Sequence, residues 1–273
     1  MNQKTISIIG CGWLGLPLAE QLLGAGYTVK GSTTSAQKRA VLIQQSIDAY
    51  QLVLNPEPVG NLNALLEADT MVIDIPPKRG ANGYGFHPEQ IRFLTDAVRS
   101  SSIQHIIYVS STSVYPELSQ TAVETDVTSE SESAAPDLVR AEQLVQSLMP
   151  EKLVTVLRFG GLMGHDRIPG KYVAGRIVDS GAVPVNYIHR NDATGILQAI
   201  IGQQPTGVFN VVAPEHPTRE AIYRKSCQDF GYELPVFVEP DAPVSYKVVS
   251  PDKLIQRTKY NFQYPNPLDF LYG

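Results

Sequence analysis

Three glycines at fixed spacing offer the clearest chemistry in this chain. Gly10-Cys11-Gly12-Trp13-Leu14-Gly15 reads G-x-G-x-x-G. The short apolar run Thr5 to Ile9 precedes it, and apolar residues at helical spacing follow from Leu14 to Leu23. The pattern is common by chance, but between a strand and a helix each glycine has a physical task. Gly10 allows a tight turn, Gly12 lets a phosphate approach the backbone, and Gly15 lets helix and strand pack closely. The backbone at Trp13 and Leu14 then opens a helix whose first N–H groups face negative charge. The chemistry this predicts is binding of a dinucleotide pyrophosphate.

The next segment bears on which dinucleotide. A site for NAD places an acid about 20 residues past the loop, to accept the ribose hydroxyls. Here the second strand ends Lys30-Gly31-Ser32-Thr33-Thr34-Ser35, with Lys38 and Arg39 just beyond and no acid among them. Hydroxyls at Ser32, Thr33 and Thr34 with two cations suit a 2′-phosphate. NADP is therefore expected over NAD. Further along, Ile75, Pro76 and Pro77 end a strand and are expected beside the nicotinamide half of the cofactor. Ser110-Ser111-Thr112-Ser113 ends the following strand and sets hydroxyls where a substrate oxygen would lie, with Tyr115 close behind. Arg158 ends a later strand beside Gly160 and Gly161, placed for ligand contact or for a structural ion pair. His189 and Asp192 open a helix, with Asp192 suited to an N-cap and His189 to a substrate contact or a structural hydrogen bond.

The elements that must position these residues alternate. Strands are expected at Tyr27 to Lys30, Tyr50 to Leu54, Thr70 to Ile75, His105 to Ser110, Leu153 to Phe159 and Val208 to Val212. Helices are expected at Ala36 to Gln45, Pro88 to Arg99, Asp137 to Leu148, Asp192 to Ile201 and Arg219 to Phe230. Such alternation argues for an α/β fold with a doubly wound parallel sheet covered by helices on both faces. Thr125 to Ala135, rich in Ser, Thr and Glu, reads as a solvated loop. From Leu234 the chain is rich in Pro and Tyr, with short extended runs. The expected division is a cofactor-binding core over residues 1–165, rejoined by the strand near 208–212, and a smaller substrate-side lobe mainly over 166–273.

Composition limits the rest. The 273 residues carry a net charge of −5, which gives no global attraction for nucleic acid or an anionic membrane. The two cysteines, Cys11 and Cys227, suggest neither a disulfide framework nor a thiolate metal site, and no two histidines have metal-ligand spacing. The opening MNQKTISIIG is too short in apolar residues for a secretory segment, and no run approaches the ~18 apolar residues that span a bilayer. A soluble, cytoplasmic protein with a small-molecule substrate is expected.

Several strings, in order along nearly the whole chain, resemble the extended short-chain dehydrogenase/reductases of the NAD-dependent epimerase/dehydratase type, in an atypical branch. They are the glycine loop, Ile75-Pro76-Pro77, Ser110 to Tyr115, Leu157-Arg158-Phe159-Gly160-Gly161-Leu162-Met163-Gly164, Asn186-Tyr187-Ile188-His189, and Phe209-Asn210-Val211-Val212. The resemblance implies a Rossmann domain with a small C-terminal lobe, a substrate (often a nucleotide sugar) between them, and in many members a homodimer. It places the family's active-site Ser or Thr on Ser111, with Thr112 beside the substrate. It also implies a Tyr and, four residues later, a Lys. Anchored on Ala141-Glu142-Gln143, those two positions fall on Ala134 and Leu138, so both groups are missing. Tyr115 is the nearest replacement for the proton donor.

Two functions follow as expectations. One is NADP-dependent redox chemistry on a polar or sugar-derived substrate, without the usual Tyr and Lys. The other is a non-catalytic NADP(H)-binding sensor or regulator.

Overall fold

The computed structural model describes residues 4–77 and 83–273. The chain opens with β1 (Thr5–Ile9), α1 (Gly15–Gly24), β2 (Thr28–Thr33), α2 (Ala36–Gln44) and β3 (Asp48–Asn55). It continues through β4 (Glu57–Gly60), α3 (Leu62–Leu66), β5 (Thr70–Ile73), α4 (Phe86–Arg99) and β6 (His105–Ser111). Next come β7 (Gln120–Ala122), α5 (Pro136–Gln146), β8 (Leu153–Phe159), β9 (Gly161–Met163), α6 (Pro169–Val173) and β10 (Ile177–Val178). The last part holds β11 (Tyr187–His189), α7 (Arg190–Gln203), β12 (Gly207–Val211), α8 (Arg219–Phe230), β13 (Val236–Phe237), β14 (Lys247–Val249) and α9 (Asp252–Thr258).

Among the described residues, eight strands form one sheet in the order β12-β8-β6-β5-β1-β2-β3-β4. Every neighbouring pair is parallel except β3 and β4. The chain winds from β1 outward to β3, then returns to β5 on the other side of β1. The order therefore reverses beside the C-terminal end of β1, the place where such sheets leave a crevice for ligands. The expected α/β architecture is present, with helices on both faces.

The strands are apolar on both faces, as burial on both sides requires. Ile106 and Tyr108 enter one core cluster and Ile107 the other, because successive side chains of β6 point to opposite faces. One face packs Leu18 and Leu22 of α1 with Ile196, Leu197 and Ile200 of α7. The other packs Ile91, Leu94 and Val98 of α4 with Ala141 and Val145 of α5.

Several boundaries differ from expectation. β2 runs on through Thr33, so Gly31, Ser32 and Thr33 are buried strand residues rather than a turn. The antiparallel β4 lies in a stretch where the sequence predicts no element, and its Pro58 is tolerated on a sheet edge where no ladder N–H is required. In the segment read as solvated loop, Thr125 to Ala135, one 3₁₀ turn runs in from Glu124 and a second forms at Glu130–Glu132, and Val127 is buried. The short α9 interrupts a tail read as extended.

Candidate functional site: the glycine loop at the sheet switch point

The glycine loop leaves β1 at Ile9. Gly10 sits at φ +109°, and a Cβ there would run into the carbonyl of Asp74. A Cβ at Gly15 would strike the carbonyl of Gly10, whereas one at Gly12 would meet nothing within 4 Å. Gly10 and Gly15 are thus required by the protein's own packing, and Gly12 borders open space. α1 begins with no side-chain cap at Leu14 and no acid in its first turn, while Pro17 removes one of the N–H groups. The Gly15 N–H meets the Asp74 carboxyl, and the Leu16 and Leu18 N–H groups bond the carbonyls of Gly12 and Leu14. Among the described residues the backbone N–H groups of Trp13 and Leu14, just before the helix, have no acceptor and are left for a ligand anion. The space at Gly12 and these two N–H groups fit a dinucleotide pyrophosphate.

Ser32 supports the loop rather than a ligand. Its Oγ accepts the Gly10 N–H at 2.9 Å, its carbonyl accepts the Cys11 N–H at 2.8 Å, and it is 3% exposed. The expected 2′-phosphate contact from this hydroxyl is therefore corrected. Thr33 is buried and accepts from the Ser35 N–H at 3.4 Å. Ser35 caps α2 by accepting the Lys38 N–H, and Arg39 spends its Nε on the Ala49 carbonyl at 2.8 Å. Thr34 and Lys38 are exposed at the end of β2.

Beyond β5, Ile75 is half-buried and Pro76 and Pro77 are exposed on the cleft side of the sheet. Asp74, between β5 and these residues, faces the start of α1. Burial pushes its carboxyl up to about 7, against the pull of the Gly15 N–H and the charge of Arg167. Burial likewise pushes the Cys11 thiol up to about 12.

At the end of β6 the expected residues divide. Ser111 is partly exposed, and its Oγ accepts the Ser113 N–H at 3.1 Å, leaving its own proton free to donate. Thr112 lies one residue on, in a 3₁₀ turn, and is 7% exposed. Ser110 instead donates to Glu142 Oε1 at 2.6 Å within the core.

Arg158 donates to Glu142 through Nε (3.0 Å) and Nη2 (2.7 Å), to Tyr115 Oη and the Glu124 carbonyl through Nη1, and to the Val127 carbonyl through Nη2. All five of its N–H donors are engaged. Tyr115 is fully buried, donates to Asn210 Oδ1 at 2.7 Å, and has its pKa pushed up to about 12 by burial. Neither side chain has a group left for a ligand. The substrate role for Arg158, the catalytic role for Tyr115 and a ligand contact by the Ser110 hydroxyl are corrected: the three form one buried polar network.

His189, also expected beside the substrate, is 1% exposed. Its Nδ1 accepts the Asn191 N–H at 3.2 Å and its Nε2 donates to the Leu271 carbonyl at 2.9 Å. Burial lowers its pKa, which suits this neutral tautomer. His189, not Asp192, is the N-cap of α7. Asp192 is fully buried and accepts from Tyr260 Oη, Gln263 N and Tyr264 N. At the two positions where the resemblance implies Tyr and Lys, Ala134 is exposed and Leu138 packs in the core with Val114 and Tyr115.

Three charged residues at the cleft were not singled out from the sequence: Asp74, Arg167 and Arg190. Asp74 lay inside the quoted strand end, but no local pattern sets it against the helix start. Arg167 and Arg190 reach the glycine loop only because β9 pairs with β11. Among the described residues, no three His, Cys, Asp or Glu side chains are grouped to hold a metal ion, and no helix is long and apolar enough to cross a membrane.

No protein-family model matches the chain. Protein YeeZ of Escherichia coli (strain K12) is 33% identical over 270 residues, covering 97% of this chain and 98% of YeeZ. The chain belongs to the YeeZ family. Its fold is that of the extended short-chain dehydrogenase/reductases, as the sequence strings implied. The UDP-glucuronic acid 4-epimerase of Bacillus cereus, solved in complex with NAD, superposes with a TM-score of 0.78 at 16% identity, covering 97% of this chain and 95% of the epimerase. WbmG of Bordetella bronchiseptica, solved with NAD and UDP, gives 0.74 at 14% identity, covering 98% and 93%. At these identities the likeness is one of fold.

Proposed function

We propose that this YeeZ-family protein binds a nicotinamide dinucleotide at the glycine loop and carries out epimerase-like redox chemistry on a polar or sugar-derived substrate. The observation that carries the reading is the division of labour among the three glycines. Gly10 and Gly15 are packed by the protein itself, while Gly12 opens onto space beside the backbone N–H groups of Trp13 and Leu14, which have no acceptor among the described residues. NADP is favoured over NAD, because the end of β2 offers Thr34, Lys38 and the outer nitrogens of Arg39 and no acid. The solved epimerase and WbmG hold NAD, so both cofactors belong in the test.

The nicotinamide would supply hydride transfer when bound. Ile75, Pro76 and Pro77 would wall its side of the cleft. Ser111, with a free proton on Oγ, would donate a hydrogen bond to the substrate oxygen, with Thr112 beside it. The substrate would lie between the core of residues 1–165 and the lobe of 166–273.

A second reading rests on a specific observation. Leu138 is buried in apolar surroundings and Ala134 is exposed, so the helix that brings Tyr and Lys to the cofactor in the resembled family brings neither here. That favours a non-catalytic NADP(H)-binding sensor. Titration with NADPH and NADH, followed through Trp13, the only tryptophan of the chain, tests the shared part. Micromolar binding supports both readings, and absence of binding removes both. Turnover of a nucleotide-sugar panel, lost in Ser111→Ala while cofactor affinity stays unchanged, favours the enzyme. No turnover across the panel favours the sensor.

A further inference from the structure

Two half-buried arginines stand at the glycine loop with no acceptor among the described residues. The Arg167 guanidinium lies 4.0 Å from the Trp13 ring centroid and that of Arg190 lies 5.0 Å from it. Trp13 itself is fixed, its indole N–H donating to Asp166 Oδ1 at 2.5 Å. That hydrogen bond is the main cause holding the Asp166 carboxyl below its ordinary range. Asp166 and Arg167 ride on a tight turn closed by reciprocal backbone hydrogen bonds between Gly164 and Arg167, at 3.2 and 3.1 Å. Arg190 is the first residue of α7, next to the His189 cap, and the register His189↔Met163 sets it beside that turn.

Among the described residues, neither guanidinium makes a hydrogen bond or an ion pair within 4 Å. Yet each is partly withdrawn from water, and burial, with repulsion from Arg167 among the smaller causes, lowers the pKa of Arg190. Two cations kept together, stacked on one ring and left with ten N–H donors, form an anion site. The carboxylates nearby, Asp166, Glu20 and Asp74, act on them only at longer range.

We propose that Arg167 and Arg190 clamp the diphosphate of the bound dinucleotide against the glycine loop, with Trp13 as the shelf that orients them. The dinucleotide is favoured over a substrate diphosphate by position. Trp13 belongs to the loop itself, and Arg167 acts on Asp74, whose carboxyl meets the Gly15 N–H at the start of α1. A planar guanidinium gives two parallel hydrogen bonds to a phosphate, which a lysine cannot. This inference deepens the cofactor reading above and rests on it.

The test is calorimetric titration of NADPH, and separately of UDP onto NADPH-saturated protein, with the unsubstituted chain, Arg167→Gln, Arg190→Gln and Arg167→Lys. Thermal melts verify that each variant is folded. Loss of one charge-assisted contact should weaken NADPH about ten- to a hundredfold in each Gln variant. Arg167→Lys should recover only part of the loss, and UDP affinity should be unchanged. NADPH affinity equal to that of the unsubstituted protein in both Gln variants overturns the clamp and leaves the cofactor reading standing. Weakened UDP with intact NADPH assigns the arginines to the substrate and also overturns it. If the unsubstituted chain binds no NADPH, the clamp and the reading beneath it fall together.

Discussion

Arg158 and Glu142 meet 2.7 Å apart in the core, exposed by 2% and 1% at their side chains. The arginine comes from the end of β8 and the glutamate from α5, so the pair ties a helix to the sheet directly below the cleft. Because every donor of Arg158 is engaged, the pair reads as scaffold. Removing one partner strands the other's charge in the core. Arg158→Met or Glu142→Gln alone should therefore cost about 3–5 kcal/mol, read as a lower urea midpoint at unchanged slope. Tyr115→Phe should cost less, about 1–3 kcal/mol, since it removes one hydroxyl from the network. If any turnover exists, Tyr115→Phe should leave it intact under conditions where the variant is folded.

The glycines separate stability from binding. Gly12→Val should leave the melting temperature within a degree or two and abolish dinucleotide binding, because the added atoms enter the space read here as the ligand's. Gly15→Ala and Gly10→Ala should melt lower even without ligand, since each new Cβ meets a backbone carbonyl. A Gly12→Val protein that melts like Gly15→Ala would show that the open space has a structural role instead.

Asp74 should make cofactor affinity depend on pH. With its pKa near 7, the side chain is neutral at pH 6 and ionised at pH 8, beside the place proposed for a doubly charged diphosphate. Affinity should fall on the order of tenfold between those values, and Asp74→Asn should flatten the profile. The same group affects folding with a defined sign. Its folded pKa is raised above the ordinary aspartate value of about 3.9, so the stability it contributes is full below that value. That contribution is lost as pH rises through about 7. Denaturation curves of Asp74→Asn and the unsubstituted chain should diverge between pH 5 and pH 8.

Both cysteines are buried and their thiols are raised by burial, Cys11 to about 12. A thiol reagent at pH 8 should react with neither in the native protein and with both in denaturant. Rapid modification of one thiol in the folded state would contradict the packing of Cys11 beneath the loop or that of Cys227 against Gly170.

What was legible in the sequence was what local pattern encodes. The strand–loop–helix at Gly10 to Gly15 and the alternation of strands with helices depend on residues near one another in the chain, and they stand where expected. The side-chain roles at the cleft did not follow. A strand-end arginine looks alike whether it meets a ligand or a glutamate 16 residues upstream, and only the docking of α5 on β8 decides for Arg158. Ser32 looked like a phosphate ligand because its strand was ended early, at Lys30, so its inward turn toward Gly10 was not apparent. His189 and Asp192 exchanged roles because the acid's partners lie about 70 residues further on, in a tail that carries little periodicity.

That tail has a consequence for how the molecule is made. Asp192, at the start of α7, accepts hydrogen bonds from Tyr260, Gln263 and Tyr264, and His189 donates to the carbonyl of Leu271. During synthesis the strands around the glycine loop emerge first and can begin to pair. The turn that begins α7, and with it the seat of Arg190, lacks the partners of the Asp192 carboxylate until residues 260–264 have left the ribosome, and that of His189 Nε2 until residue 271 has. The proposed cofactor site is thus begun at the glycine loop and completed by segments far along the chain, and a nascent chain arrested before Tyr260 should hold its sheet but not its ligand.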